Sequence, residues 1–342
     1  MNDPVTPSQA SRLTLRQRVH QMPRRNKIFL FGGVGLIILL IVLALIYSYW
    51  YQNPKKVVSD GIMNALNAQS VAYKGSYVAK AGSDITVEFN GGAAIKGGNA
   101  DLKLTIVSLG KKYTLDGSGL LNDKGDIYFK VKNIDELVQN YRKAVPATSQ
   151  PLFDKIVAKI NDKWIKISSE DLKSYSLEVA TAQRCIGETF KKAQGDSKLK
   201  SEVVDIYKKY PFIVIDKSLG SKDGSLGYLM NIDQTKAHSF SIAFQKTTIY
   251  KILRACDKNF SLNVGESASG QKMNQNTPVE LWVNNWTHHI TKIVASDKQK
   301  TTSLTVVPRF NQPVNVVTPT DATTLEQLQK DVQELLLSAA TL

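Results

Sequence analysis

Few residue types in this chain are equipped for chemistry, and their spacing narrows what they can do. The 342 residues include two cysteines and four histidines. Cys185 and Cys256 each fall on the apolar side of an expected helix, Cys185 beside Ala182 and Ile186, Cys256 seven positions after Ile249. In an oxidising compartment such a pair favours a disulfide, which stabilises by about 4 kcal/mol on a chain-entropy model. The alternative is two separate buried thiols acting as small hydrophobes. His288 and His289 are neighbours beside a strand, so they project to opposite faces and do not share a metal. His20 lies in a basic leader and His238 stands alone. The sequence contains no H-E-x-x-H, C-x-x-C or acidic calcium-loop pattern, and no G-x-S-x-G. Gly117-Ser118-Gly119 reads as a turn or strand-edge element. Gly32-Gly33-Val34-Gly35 sits in an apolar run, where small residues serve helix packing. Glu170 and Asp171 read as solvated or capping acids. The expectation is a protein with no catalytic residue, metal or cofactor.

Location is more plainly written. From Ile28 to Trp50 the chain runs 23 residues without a charge. As a helix rising about 1.5 Å per residue it would cross the roughly 30 Å hydrocarbon core of a bilayer. Tyr47, Tyr49, Trp50 and Tyr51 suit the headgroup region at its end. Six basic residues (Arg12, Arg16, Arg18, Arg24, Arg25, Lys27) and one acid (Asp3) precede it. The positive-inside rule then keeps the N-terminus cytoplasmic. A cleaved signal peptide is the rival reading, but the run is longer than the usual apolar region, and Tyr-Trp-Tyr stands where a small-x-small site would be. The expected organisation is a cytoplasmic basic tail over 1–27, a transmembrane signal anchor over 28–51 and an extracytoplasmic domain over 52–342, with a C-terminal helix over 323–340.

Within 53–70, Val58, Ile62 and Leu66 share a helical face, and Pro54 suits a first turn. Alternating apolar residues then mark strands around Ile85–Phe89, Leu102–Ile106, Tyr113–Leu115 and Ile127–Val131, separated by glycine or Asp-containing breaks. One wet and one apolar face point to an antiparallel meander. Residues 134–145 and 151–161 read as short helices and 163–167 as a strand. A strong amphipathic helix follows from Ser169 to Phe190, then another helix over 201–210. Strands are expected over 212–215 and 228–232. Residues 235–256 fit either one long helix or a strand followed by a helix. Strands return over 279–283, 289–295, 303–310 and 314–317, the first two joined through a turn at Asn284–Thr287. Thr324 with Gln327 gives a capping-box signal for the terminal helix.

The run from Gly117-x-Gly119 to Asp126-Ile127-Tyr128-Phe129-Lys130, followed by Lys163-Trp164-Ile165-Lys166-Ile167, resembles the LolA/LppX superfamily. So does the block Leu281-Trp282-Val283-x-x-x-Thr287-x-x-Ile290-x-Lys292-Ile293. Over residues 55–320 that resemblance implies a curved half-barrel with helices on its concave side, and lipid or lipoprotein handling. Family members are usually soluble or lipid-anchored, whereas the apolar run here implies action next to the chain's own membrane. The expected class is α+β: an N-terminal transmembrane helix plus a curved antiparallel half-barrel sheet packed on helices.

The leading functional expectation is a non-enzymatic binding protein, anchored in the membrane, that holds a lipid or acyl chain between sheet and helices. Its candidate groove is Ile85, Val87, Phe89, Leu102, Leu104, Ile106, Ile127, Phe129, Leu281 and Val283. The same residues make an ordinary packed core if the helices fit tightly. The alternative is an envelope interaction, sensor or structural module that binds another protein. Lysine runs such as Lys191-Lys192 and Lys208-Lys209 suit either anionic headgroups, at about 1 kcal/mol per cation, or an ordinary soluble exterior. Nucleic acid is not an expected partner, because the domain faces outward and carries no recognised binding motif.

Overall fold

The structure is a computed structural model. It describes residues 40, 42, 43 and 47–342, except 82, 95, 109, 259, 261–277, 341–342 and parts of 136–145 and 169–194. The chain divides at Lys56 into two units, Met1–Lys56 and Val57–Leu342.

In the first unit Tyr47–Tyr51 forms one π-helical turn, closed by Gln52 N–H donating to the Tyr47 carbonyl at 2.9 Å. The Tyr47 and Tyr51 rings stack at 5.6 Å, and Lys56 Nζ lies 5.1 Å above Trp50. The transmembrane helix expected over 28–51 requires correction. Most of that stretch, like the basic tail, lies outside the described residues. No helix among the described residues is long and apolar enough to cross a membrane. Of the described part, residues 40, 42 and 43 are α-helical and Tyr47–Tyr51 winds as a π turn.

The second unit is built on twelve strands: β1 (Ser70–Ala81), β2 (Ser83–Ala94), β3 (Gly97–Ser108), β4 (Lys111–Leu121), β5 (Ile127–Lys132), β6 (Ile165–Ile167), β7 (Ile213–Lys222), β8 (Ser225–Ile232), β9 (Val279–Asn284), β10 (Ile290–Ser296), β11 (Thr302–Phe310) and β12 (Thr323–Thr324). They form one sheet in the order β12-β6-β5-β4-β3-β2-β1-β11-β10-β9-β8-β7. Two meanders, β1–β5 and β7–β11, meet where β1 pairs antiparallel with β11. Among the strand pairs of the described residues only β12 against β6 is parallel, and Val131 and Asn161 form an isolated parallel bridge.

The expected half-barrel is therefore corrected to a mostly antiparallel open sheet ending in β7 and β12. Edge β7 has register shifts at Ile215/Lys217 and Ser218/Gly220. Such bulges, together with Lys217 and Lys222, discourage further pairing along that edge.

Six α-helices are found among the described residues: α1 (Pro54–Asn67), α2 (Gln150–Ile160), α3 (Ser197–Lys209), α4 (Gln234–Phe244), α5 (Thr248–Cys256) and α6 (Leu325–Ala340). The segment left open at 235–256 resolves into α4 and α5. Asp233 caps α4 by accepting from Lys236 N–H, and Thr247 caps α5 by accepting from Tyr250 N–H. Phe240 and Phe244 are buried four apart while Ile242 is exposed, so helical spacing outweighs the alternation. The helix expected from Ser169 to Phe190 lies largely outside the described residues.

Val57 and Val58 of α1 pack on Tyr228, Met230, Leu281, Val283 and Ile290 of the β8–β10 half of the sheet. Gly61 faces the turn closely: a Cβ there would come into contact with the His288 carbonyl and Ile290 at 3.4 Å. A second cluster joins Leu199 and Tyr207 of α3 to Phe240, Phe244, Ile249 and Leu253 of α4 and α5. Ile62 of α1 touches both clusters. Burial of its hydroxyl raises the Tyr207 pKa to about 12. Cys185 and Cys256 are joined as a disulfide, with Cα atoms 5.4 Å apart.

After β11 the chain does not form the strand expected at 314–317. Instead, after Asn311 N–H donates to the Ser70 carbonyl at 2.8 Å, residues 312–322 run across the sheet outside any strand ladder. The Ser70 hydroxyl donates to the Gln312 carbonyl at 2.6 Å and the Asn99 amide to the Asn315 carbonyl at 2.9 Å. The segment then enters β12, with Thr323 N–H donating to the Trp164 carbonyl at 2.8 Å. Helix α6 docks on α2 through Lys159 and Asp331 at 2.7 Å. Gln327 N–H donates to Thr324 Oγ1 at 3.2 Å, so half of the expected capping box forms. The Gln327 side chain turns to Asp331 instead.

Several carboxylates tie down turns and helices, and their pKa values are lowered. Asp162 is held down mainly by its hydrogen bond to Lys132, Asp233 by the Lys236 backbone N–H, Asp297 by Thr301 and Asp331 by Lys159. A carboxylate depressed in the folded state contributes stability above its ordinary value, 3.8, and loses it as pH falls through the folded value. Thermal melts followed by circular dichroism should therefore be flat down to about pH 5 and fall progressively below about pH 4.

Candidate functional site

Strand register gives the two faces of the sheet opposite characters. Phe89 lies opposite Gly75 and Leu102. The row continues through Val306, Ile293, Leu281 and Tyr228, so one side of the sheet is apolar across seven strands. All ten candidate groove residues share that side. Ile85 faces Ile106, and Val87 faces Leu104. Ile127 and Phe129 of β5 lie opposite Leu121 and Gly119. Leu281 and Val283 of β9 lie opposite Tyr228 and Leu226. Five strand steps of about 4.8 Å separate Leu102 from Leu281, roughly 24 Å in all. The candidates thus form a band rather than a single pocket.

The two halves of the band differ in cover. Val283 is 0% exposed and Leu281 7%, beneath α1. At the other half Leu102 is 48% exposed, Leu304 38% and Tyr77 36%. Neither buried cluster contains a residue of β2, β3 or β4. Tyr73 reaches Phe89 with ring centroids 6.2 Å apart. Tyr73 and Tyr77 were missed by sequence reasoning because β1, interrupted by Gly75 and small alanines, gives a weak alternation.

The opposite face is polar. A trough of about 690 Å³ lies on it, bordered by side chains such as Lys74, Glu88, Asp101 and Lys103. Beyond it, Lys132 and Lys130 reach Asp162 at 3.3 and 3.5 Å, and Lys130 lies 5.0 Å above Trp164. Lys166 Nζ pairs at 3.0 Å with Asp126, which is 8% exposed. That hydrogen bond raises the Lys166 pKa. Lys166→Met should leave the Asp126 carboxylate with the Asn122 amide at 3.3 Å but no cation and cost about 1–3 kcal/mol, read as a lower denaturation midpoint in urea.

The adjacent histidines separate as expected. His288, 2% exposed with φ +50°, sets Nδ1 2.7 Å from Asp60 Oδ2 and so ties the β9–β10 turn to α1. The Asn64 amide donates to the His288 carbonyl at 3.2 Å. His289 instead stacks near Phe310 at 6.4 Å. Among the described residues no group of three or more His, Cys, Asp or Glu side chains could hold a metal. No known family model matches the chain, and no curated protein matches it.

Proposed function

We propose that this is a non-enzymatic binding protein that takes a lipid or acyl chain on the β1–β4 part of its apolar sheet face. The observation that carries this reading is the contrast in cover among the apolar residues of one sheet face, on two neighbouring rows. Under α1 they are excluded from water, whereas Leu102, Leu304 and Tyr77 keep more than a third of their surface exposed. Exposed apolar surface that is contiguous, rather than scattered, is characteristic of binding sites. The resemblance to lipid- and lipoprotein-handling proteins points the same way. An extracytoplasmic setting is part of the proposal, supported by the Cys185–Cys256 disulfide. Mass spectrometry of organic extracts from the purified protein should find acyl lipids in reproducible amounts. Extracts free of lipid, from protein that also takes up no acyl probe, would overturn the proposal.

A further inference from the structure

The acyl-binding reading leaves the polar face unused. Its trough runs across the strands from β5 to β11, between two rows of side chains. One bank reads Lys132, Asp116, Lys103 and Glu88 on successive strands, each opposite the next in register. The facing bank, two residues along, reads Ser118, Asp101, Asn90 and Lys74. Between the banks the floor is backbone at Gly117, Leu102, Phe89 and Gly75, positions whose side-chain direction is toward the apolar face. Five strand steps of about 4.8 Å make the trough roughly 24 Å long.

Its charges alternate and cancel. Asp116 accepts from Asn133 at 2.9 Å and Asp101 from Ser118 at 2.8 Å. Lys74, Glu88, Asn90 and Lys103 make no side-chain hydrogen bond or ion pair among the described residues. A ligand of one sign, such as a polyanion, would meet a carboxylate beside each lysine, at a cost in repulsion and desolvation. Neither bank offers an aromatic ring on which a sugar or base could stack.

The chain itself shows what this face accepts. The segment after β11 crosses the same face beyond the trough, anchored one row further along at Gly92 and Asn99 and two rows further at Ser70. Gln312 is held at Ser70 of β1, Val314 lies over Gly92 of β2, and Asn315 is held at Asn99 of β3. Three residues thus cover two strand steps, about 9.6 Å, which is the rise of an extended chain. Side chains of the sheet grip it by its carbonyl oxygens.

We propose that the trough binds a second extended polypeptide segment, one of mixed charge, alongside the chain's own crossing segment. At about 3.4 Å per residue it accommodates roughly seven residues. Lys103 and Lys74 meet the ligand's carboxylates, Glu88 and Asp101 its ammonium groups, and Asn90 its backbone. The proposal does not depend on the acyl-binding reading.

Fluorescence anisotropy of a labelled octapeptide of alternating lysine and glutamate, titrated with the full chain, tests it. The expected result is saturable binding that weakens as salt is added. Glu88→Lys and Lys103→Glu should each reduce affinity at least about tenfold, and Lys74→Glu gives an independent reversal on the facing bank. Leu304→Ser, on the other face, should leave peptide binding unchanged while reducing acyl-probe uptake, which separates the two sites. Absence of saturable binding would overturn the proposal. So would equal affinity in charge-reversed proteins whose melts match the parent, or a preference for octalysine, octaglutamate or chitotetraose.

Discussion

Replacing Cys185 and Cys256 by serine is expected to cost about 4 kcal/mol, because the bridge closes a loop spanning 71 positions and loop closure restricts the unfolded chain. The bridge ends at the C-terminus of α5, whose Ile249 and Leu253 belong to the helical cluster. The double variant should therefore lose order first in the helices over the β7–β8 end. Hydrogen exchange should rise in α3–α5 before it rises in β2–β4. A free-thiol assay on unreduced, denatured protein should count no thiols in the parent. Two thiols there, with an unchanged melting temperature in the variant, would contradict the assignment.

The other large effect is expected at the seam between the two meanders. Gly75 sits where β1 meets β11, and a Cβ added there would lie 2.4 Å from the Thr305 carbonyl oxygen and from the Phe89 ring. Phe89 can turn, but the Thr305 oxygen belongs to backbone in the β1–β11 ladder. Gly75→Ala is thus expected to cost about 3 kcal/mol, at the upper end of overpacking effects, and Gly75→Val more. Gly117 is a useful contrast, because its nearest neighbour is the Leu102 Cβ at 3.8 Å. Gly117→Ala should stay within about 0.5 kcal/mol of the parent. Urea denaturation of the pair checks this, and comparable losses at both positions would show that the seam is not the constrained site.

Much of the sheet is legible in the residues. The alternation over Ile85–Phe89, Leu102–Ile106, Ile127–Val131 and Val279–Val283 identifies strands and places the ten candidate side chains on one face, where register puts them. What the alternation leaves open is closure, since the same rhythm serves a half-barrel or an open sheet. The outcome here depends on bulges in β7 and on a two-residue β12, neither of which has a periodic signature. The crossing segment was read as a strand because Val314, Val316 and Val317 have strand-forming side chains. It joins no strand ladder, and its Gln312 and Asn315 carbonyls accept from the Ser70 and Asn99 side chains.

The trough was hidden for a different reason. Glu88, Lys103, Asp116 and Lys132 each read singly as a wet-face residue. Their alternation in sign appears only when three strand registers bring them side by side. The uneven cover of the apolar face was equally invisible, because it depends on where α1 docks. That placement rests on Val57 and Val58 packing on the β8–β10 half and on the Asp60–His288 contact with a distant turn.

The most direct test of the account compares two neighbouring residues whose side chains leave opposite faces of β3. Binding of a fluorescent acyl probe should fall at least about tenfold in Leu102→Lys, since a lysine there puts a charge in the apolar band. Binding should be unchanged in Lys103→Glu. Probe binding that is indifferent to Leu102→Lys, or equally sensitive to both substitutions, would contradict an acyl site on the apolar face.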